Sequence, residues 1–410
     1  MQDAARISSP NKRIAYLDIF RYSAVTFAII SHIVIHHQIY DETASDEAAM
    51  MKAVTRAATP ALLVLFGMMI ELVYYRKYKT SFKGAMTSLI QRAIMCYLAL
   101  VALATAFFVS GAMTAKGLVG GITLLGQVHN NDIFKLYMIL LVLTLPLLFI
   151  RHRWGAIGVG AFVVTLWVGH HLLLSSLSPL PYPLGHIGSL TMGIGSGFGP
   201  SILHSSVLLV FGMALAAALL TERNSSARRS WLVLSTVIIA GALIVILHQM
   251  ITYGPMGVVR KIAVIREWRN SHHLGYYAYG ILAASLLLLF AVVGDRLLPA
   301  RAKAAISKAG GVTLMYFFLA NLLLALIPTF AMPASAISAA LVLVYVAVFT
   351  ALALWWARTG KNMPMANIYM NAIGALSRSV AEKLSPSVTF MSATGNSDIE
   401  RASDGASNAR

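Results

Sequence analysis

Residues 14–36 read IAYLDIFRYSAVTFAIISHIVIH, an apolar stretch long enough to cross a membrane as one helix. The hydrocarbon core of a bilayer is about 30 Å thick and takes about 20 helical residues. No small-residue cleavage site follows, so the stretch predicts a retained signal anchor rather than a cleaved signal peptide. Asp18, Arg21 and His32 interrupt it. An ionisable side chain inside a span is a candidate functional group, because its burial in lipid costs a few kcal/mol.

The composition of the whole chain agrees with a membrane protein. Of the 410 residues, 58% are hydrophobic and 11% are charged, with a mean hydropathy of +0.74. Soluble domains carry roughly 25% charged residues, so an ordinary soluble protein is excluded. The net charge of +17 is explained by basic cytoplasmic loops, and we expect no nucleic-acid partner. The single cysteine, Cys96, supports no disulfide and no paired-cysteine metal site.

Nine further apolar segments follow the first one. Their continuous apolar runs favour helices over the alternating ten-residue strands of a membrane β-barrel. The sequence therefore predicts an all-α, polytopic membrane protein with about ten transmembrane helices. The predicted spans are 14–36, 57–76, 84–108, 134–150, 155–174, 201–221, 231–252, 272–295, 309–330 and 336–357.

The distribution of Lys and Arg predicts that both termini are cytoplasmic. With this orientation the inner segments hold 22 of the 32 basic residues and the outer segments hold 8, which agrees with the positive-inside rule. The predicted organisation is a cytoplasmic N-terminal segment (1–13), a transmembrane domain (14–357) and a cytoplasmic tail (358–410). The polar end of the tail, from 392 onward, is expected to be disordered.

The polar residues of the first span have a helical arrangement. Arg21 and His32 are eleven positions apart, which places them on one helix face about 16 Å apart along the axis. Asp18, three residues before Arg21, is positioned to pair with it. A histidine can take a proton from a hydroxyl, and an arginine can bind phosphate or carboxylate through a forked contact. The pattern indicates group transfer between the two sides of the membrane; the alternative is a helix-end ion pair with His32 in a polar pocket.

The same residues resemble a known family. The motif LDIFR at 17–21, followed by ten residues and His32, is similar to the N-terminal signature of the acyltransferase-3 family of integral membrane acyltransferases. Further similarity lies in 60–75, 136–146 and 204–213, and SHHLGY at 271–276 resembles the glucan-succinylating branch. This resemblance implies an inner-membrane O-acyltransferase of bacterial type. It would move an acetyl, succinyl or similar group from cytosolic acyl-CoA to a hydroxyl of an extracytoplasmic glycan or lipid-linked sugar.

The resemblance also implies roles for individual residues. His32 would be the general base, and Arg21, supported by Asp18, would belong to the donor or catalytic channel. Arg92, about 12 Å into the third span, would bind the phosphates of acetyl-CoA or succinyl-CoA together with Arg21 and Lys83. Snorkelling to the membrane surface is the alternative for Arg92.

Two positions depart from the family pattern. Tyr22 occupies the place of a glycine that commonly follows the arginine, and Asn321 stands where relatives often have a histidine. Asn321 can form hydrogen bonds but cannot titrate, so it cannot act as a titrating member of a proton relay.

Other polar residues are candidates for contact with the acceptor. The loop 253–273 contains Arg260, Lys261, Arg266 and Arg269, which form either a solvated surface helix or a binding surface for an anionic or polyhydroxylated ligand. Histidine pairs such as His32 and His36 could share a metal ion, but the sequence specifies no third ligand. We therefore expect no metal site. The residues predicted to bind the acceptor are His36, His204, Asn321, Arg269 and His273.

A polytopic transporter or flippase for an anionic solute is the alternative function. Asp18 and Arg21 would then be its intramembrane site. No internal repeat supports a transporter built from inverted halves.

Overall fold

The computed structural model describes residues 14–39, 45–128, 132–174, 176–178, 181, 184–194, 199–220 and 225–384. Within these ranges all regular structure is helical, which confirms the predicted all-α class. The predicted N-terminal segment and the predicted disordered end of the tail lie outside the described residues. The helices are α1 Ala15–His36, α2 Asp46–Arg56, α3 Ala58–Met69, α4 Tyr75–Thr80, α5 Phe82–Val109, α6 Ala115–Ile122, α7 Asp132–Gly169, α8 Leu184–Met192, α9 Ile202–Leu220, α10 Ser226–Tyr253, α11 Pro255–Ala263, α12 Glu267–Asn270, α13 Leu274–Leu297, α14 Ala300–Gly310, α15 Thr313–Leu326, α16 Ala336–Thr359 and α17 Pro364–Leu384.

Eight helices in the described part of the chain are long and apolar enough to cross a membrane, or nine when the bent pair α14 and α15 counts as one span. Most begin and end within a few residues of the predicted segments. The predicted span 84–108 corresponds to α5, for example, and 336–357 corresponds to α16. The predicted span 309–330 is the exception, because its helix α15 is shorter and turns by 77° from α14.

The predicted spans 134–150 and 155–174 lie in one continuous run, Asp132–Leu174. Gly155 interrupts this run with φ 61° and ψ −143°, a backbone conformation that glycine adopts readily. Arg151, just before this break, pairs with Glu71 at 2.8 Å. The two ends of the run lie at the opposite end of the bundle, where Asp132 lines a cavity with Arg269 and His170 contacts His204. The run therefore reverses at Gly155.

The helix α1 lies in the interior of the bundle. It packs against α3, α13, α14, α15 and α16. Its residues Phe20, Ala24 and Ile29 are fully buried. Gly310, at the end of α14, lies so close to α1 that a Cβ would overlap the carbonyl oxygen of Asp18. This packing places the polar residues of α1 within the protein.

The helices α3 and α9 cross at a pair of glycines. A Cβ at Gly67 would overlap the carbonyl oxygen of Leu209, and a Cβ at Gly212 would overlap that of Val64. Small residues allow helix backbones to approach this closely, as is common between membrane helices. After α3, a π-helical turn (Ile70–Tyr74) presents Glu71 to Arg151.

Candidate functional site

Two cavities adjoin beside α1, each of about 400 Å³. The first, here called the His32 cavity, is lined by His32 and by residues of the loops at that end of the bundle. The second, the Arg21 cavity, is lined by Arg21, Arg92 and mainly apolar side chains. Both cavities are lined by Leu62, Ile133 and Phe317. Arg21 and His32 thus face neighbouring spaces, as their helical spacing predicts.

A hydrogen bond to Asn321 orients His32. The Nδ1 atom of His32 lies 2.7 Å from Oδ1 of Asn321, and Nδ2 of Asn321 donates to the carbonyl oxygen of Phe317 at 2.8 Å. Because Nδ2 is the donor of the amide, Oδ1 is the acceptor. His32 must therefore carry its proton on Nδ1, which leaves the lone pair of a base on Nε2. Asn321 is 2% exposed, supports His32 and is not among the described residues that line either cavity.

The predicted pair of Asp18 and Arg21 is present. Nη1 of Arg21 donates to Oδ1 of Asp18 at 3.0 Å. Asp18 is buried, whereas the guanidinium of Arg21 lines the Arg21 cavity and contacts the sulfur of Met69. Asp18 thus positions the guanidinium and balances part of its charge.

Positive charge surrounds the Arg21 cavity. Arg92 lines it, as do residues of the break between α14 and α15 and of the first turn of α15, including Gly311 and Thr313. No side chain caps this helix at Val312. The N-terminus of a helix carries a partial positive charge, so the helix dipole adds to the field of the two arginines.

Lys83 lies elsewhere. It forms an exposed ion pair with Glu382 of α17 at 3.1 Å and is not among the described residues that line the Arg21 cavity. The sequence could not indicate this pair, since the two residues are far apart along the chain.

The His32 cavity contains two charged residues that no sequence motif indicates, Arg56 and Asp132. Arg56, at the end of α2, and Asp132, at the start of α7, line it together with Arg266 and the predicted Arg269. The Oδ1 atom of Asp132 accepts a hydrogen bond from the backbone N–H of Val128 at 3.1 Å. Arg56, Asp132 and the pair Arg266 and Arg269 come from separate parts of the chain, and no local motif connects them.

Two residues predicted to bind the acceptor, His36 and His273, form contacts within the protein. His36 donates from Nε2 to the carbonyl oxygen of Ile327 at 3.0 Å. The ring of His273 stacks on Trp268, and its Nδ1 accepts from the backbone N–H of Gly275 at the start of α13. Neither histidine is among the described residues that line the His32 cavity.

His204 belongs to a separate buried cluster. Its Nδ1 is 2.7 Å from Oγ of Ser201, and its ring centroid lies 4.3 Å from that of His170 and 4.9 Å from that of His272. Burial, with the nearby His170, lowers the pKa of His272 to about 4, so this ring is neutral at pH 7. Among the described residues, no group of three His, Cys, Asp or Glu side chains could hold a metal ion.

In comparisons with known proteins, no family model matches the chain and no curated protein matches it. The resemblance to the acyltransferase-3 family is therefore supported only by the residues that carry it.

Proposed function

We propose that the protein is an acyl-CoA-dependent O-acyltransferase of the bacterial-type inner membrane. It transfers an acetyl, succinyl or similar acyl group to a hydroxyl of an extracytoplasmic glycan or lipid-linked sugar. The main support is the pair of adjoining cavities, with Arg21 and Arg92 in one and His32 in the other. A donor and an acceptor can then enter from opposite sides and meet beside α1.

In this proposal the Arg21 cavity binds the donor. Arg21 and Arg92 hold the phosphates of CoA through charge-assisted hydrogen bonds. The apolar side chains of the cavity, such as Val25 and Leu141, surround the pantetheine arm. The thioester then lies near Phe317, where the two cavities adjoin.

His32 is the general base of the proposed reaction. Its Nε2 takes the proton of the acceptor hydroxyl while the oxygen attacks the thioester carbonyl. The carbon–sulfur bond breaks, the new ester forms, and the CoA thiolate receives the proton from His32. Asn321 keeps Nε2 as the basic nitrogen throughout.

The proposed topology has ten crossings and cytoplasmic termini. It counts the run Asp132–Leu174 as two crossings, because the chain reverses at Gly155, and the bent pair α14 and α15 as one. The Arg21 cavity then opens toward cytosolic acyl-CoA. The basic residues Arg76, Lys77 and Lys79, which follow α3, lie at that end, as the positive-inside rule requires.

A transporter for an anionic solute is the second candidate. The observation that favours it is the break between α14 and α15, since broken helices form the ion and substrate sites of many transporters. Such sites lie near the membrane midplane. Gly310 instead abuts Asp18, in the first turn of α1, so the break is near one end of the bundle. We therefore favour the acyltransferase.

The test is CoA release from acetyl-CoA and succinyl-CoA by the purified full chain in lipid, with envelope glycans as acceptors. We expect His32→Gln to lower the rate about 100-fold or more, since general bases contribute about 10²–10⁴-fold. His248→Gln is the control, because His248 is exposed on α10 and is not among the described residues that line either cavity. A parent protein that releases no CoA but carries anions across vesicle membranes would support the transporter instead.

A further inference from the structure

The described lining of the His32 cavity contains more basic than acidic side chains. Three arginines line it, Arg56, Arg266 and Arg269, whereas Asp132 is the only carboxylate in its described lining. His32 adds no negative charge. Because helices and lipid around the cavity lower the local dielectric, charges inside it interact more strongly than at an exposed surface.

The other cations of the same loop are already paired outside the cavity. Arg260 bonds to Asp46 at 2.8 Å, and Lys261 bonds to Glu267 at 2.7 Å. Both pairs are partly exposed at the surface. The basic cluster 260–269 therefore divides in two: Arg260 and Lys261 pair with acids at the surface, and Arg266 and Arg269 line the cavity.

The local geometry of Arg266 and Arg269 places these two residues at the cavity. Arg266 has φ 59°, a left-handed conformation that non-glycine residues seldom adopt outside functional or tightly constrained sites. The guanidinium of Arg269 lies against Gly199, where a Cβ would overlap Nη2. Its Nε is buried and has no hydrogen-bond partner among the described residues. A buried donor of this kind needs an acceptor, since burial without one costs free energy.

We propose that the His32 cavity is a subsite for an anionic group, a carboxylate or a phosphate, on one of the two substrates. Arg269 and Arg56 bind its oxygens with the forked geometry that guanidinium offers to such groups. The subsite deepens the proposed acyltransferase function and depends on it for the identity of the substrate. Two sources have this chemistry: the far end of a dicarboxylic acyl group, and a charged group of the sugar acceptor.

The first experiment measures binding without catalysis. Succinate, inorganic phosphate, glucose 6-phosphate and uncharged glucose are titrated by calorimetry into the purified full chain in detergent. We expect the anions to bind and glucose to bind at least tenfold more weakly. Arg269→Gln should weaken anion binding about tenfold or more, and Asp132→Asn should strengthen it. Arg260→Gln, which removes a cation paired at the surface, is the matched control and should leave binding unchanged.

Two further variants keep the test decisive if Arg269→Gln does not fold. Arg269→Lys retains the positive charge but loses the forked pair of guanidinium N–H donors. This variant should bind the anions with an affinity between those of the parent and Arg269→Gln. Gly199→Ala adds the Cβ that would displace the guanidinium, and it should weaken anion binding while leaving Arg269 in place. Equal binding of anions and glucose, or equal loss in Arg260→Gln and Arg269→Gln, would overturn the proposed subsite.

Initial rates of acyl transfer then distinguish which of the two substrates carries the anionic group. If the anion belongs to the acyl group, Arg269→Gln raises KM for succinyl-CoA and leaves KM for acetyl-CoA unchanged. If it belongs to the acceptor, the variant raises KM for a phosphorylated glycan with both donors. If anions bind in a way that depends on Arg269 but the protein transfers no acyl group, the proposed function is refuted and the subsite is retained. Acyl transfer without anion binding would refute the subsite alone.

Discussion

Asn321 holds the base of the proposed reaction in one orientation. Its side chain accepts from Nδ1 of His32 at 2.7 Å, and its own amide is fixed by the carbonyl of Phe317. We predict that Asn321→Leu lowers kcat about tenfold to 100-fold with little change in KM for acyl-CoA, because the imidazole loses its fixed tautomer. Asn321→Asp, which retains an acceptor oxygen, should keep more of the rate. Steady-state kinetics of both variants test this, and an unchanged kcat in Asn321→Leu would contradict the role.

His272 makes stability depend on pH. Its pKa is lowered from the ordinary 6.5 to about 4 by burial and by His170. As the pH falls from 7 toward 4, the unfolded chain takes up a proton that the folded chain does not, so the free energy of unfolding decreases. The difference between the two pKa values corresponds to roughly 3 kcal/mol. Below about pH 4 both states are protonated and the loss is complete.

The His272→Asn variant isolates this effect. Asparagine tolerates the φ of 56° found at this position and does not titrate. We predict that the melting temperature of this variant depends less on pH between 4.5 and 7 than that of the parent. His248→Gln, at an exposed position, is the control. Parallel pH curves for parent and His272→Asn would contradict the prediction.

Helical spacing was enough to predict part of the site. Because Arg21 and His32 lie on one helix, their common face and the pairing with Asp18 follow from the 3.6-residue period. Asn321 approaches His32 from a helix 289 positions later, so its contact depends on packing that no local pattern encodes. For the same reason, no local pattern indicates the pair of Glu71 and Arg151, which are 80 positions apart.

The crossing of α3 and α9 depends on its two glycines. We predict that Gly212→Ala destabilises the protein by about 1–3 kcal/mol, because the added methyl group meets the carbonyl of Val64 and forces the helices apart. Gly241→Ala is the matched control, since a Cβ there meets no atom within 4 Å. Thermal unfolding in detergent compares the two variants. Equal melting temperatures would show that the close approach contributes nothing.

Long apolar helices were predicted well, and short or interrupted ones were not. Segments such as α5, α10 and α13 are recognisable from hydropathy alone, since a helix surrounded by lipid must be apolar over about 20 residues. The tail helix α17 is amphipathic and packs on α5, so its composition resembles that of a polar segment. The break between α14 and α15 depends on the close contact of Gly310 with α1, which hydropathy does not reveal.

The topology of the whole chain is open to a direct test. Cys96 is the only cysteine, so a Cys96→Ala protein provides a background for single-cysteine labelling. Thr80 and Lys116 are exposed and lie at opposite ends of α5. We predict that an impermeant maleimide labels Lys116→Cys in intact cells and labels Thr80→Cys only after permeabilisation. The reverse pattern would invert the proposed orientation.

The relation between the two cavities emerges only from the assembled bundle. The sequence indicates a basic residue and a histidine on one face of α1, but Phe317 and Ile133, which line both cavities, come from α15 and α7. The arginines of the His32 cavity come from two loops more than 200 positions apart. The proposed transfer between two compartments therefore depends on the whole molecule rather than on one helix.

Sided transfer in inverted membrane vesicles is the most direct test of the proposed function. Acyl-labelled acetyl-CoA or succinyl-CoA is supplied only to the exposed cytoplasmic face, and envelope glycans are enclosed in the lumen. We predict that CoA appears outside while the label appears on lumenal glycan, and that His32→Gln abolishes both. Label on material at the cytoplasmic face alone, or equal transfer by the parent and His32→Gln, would contradict the account.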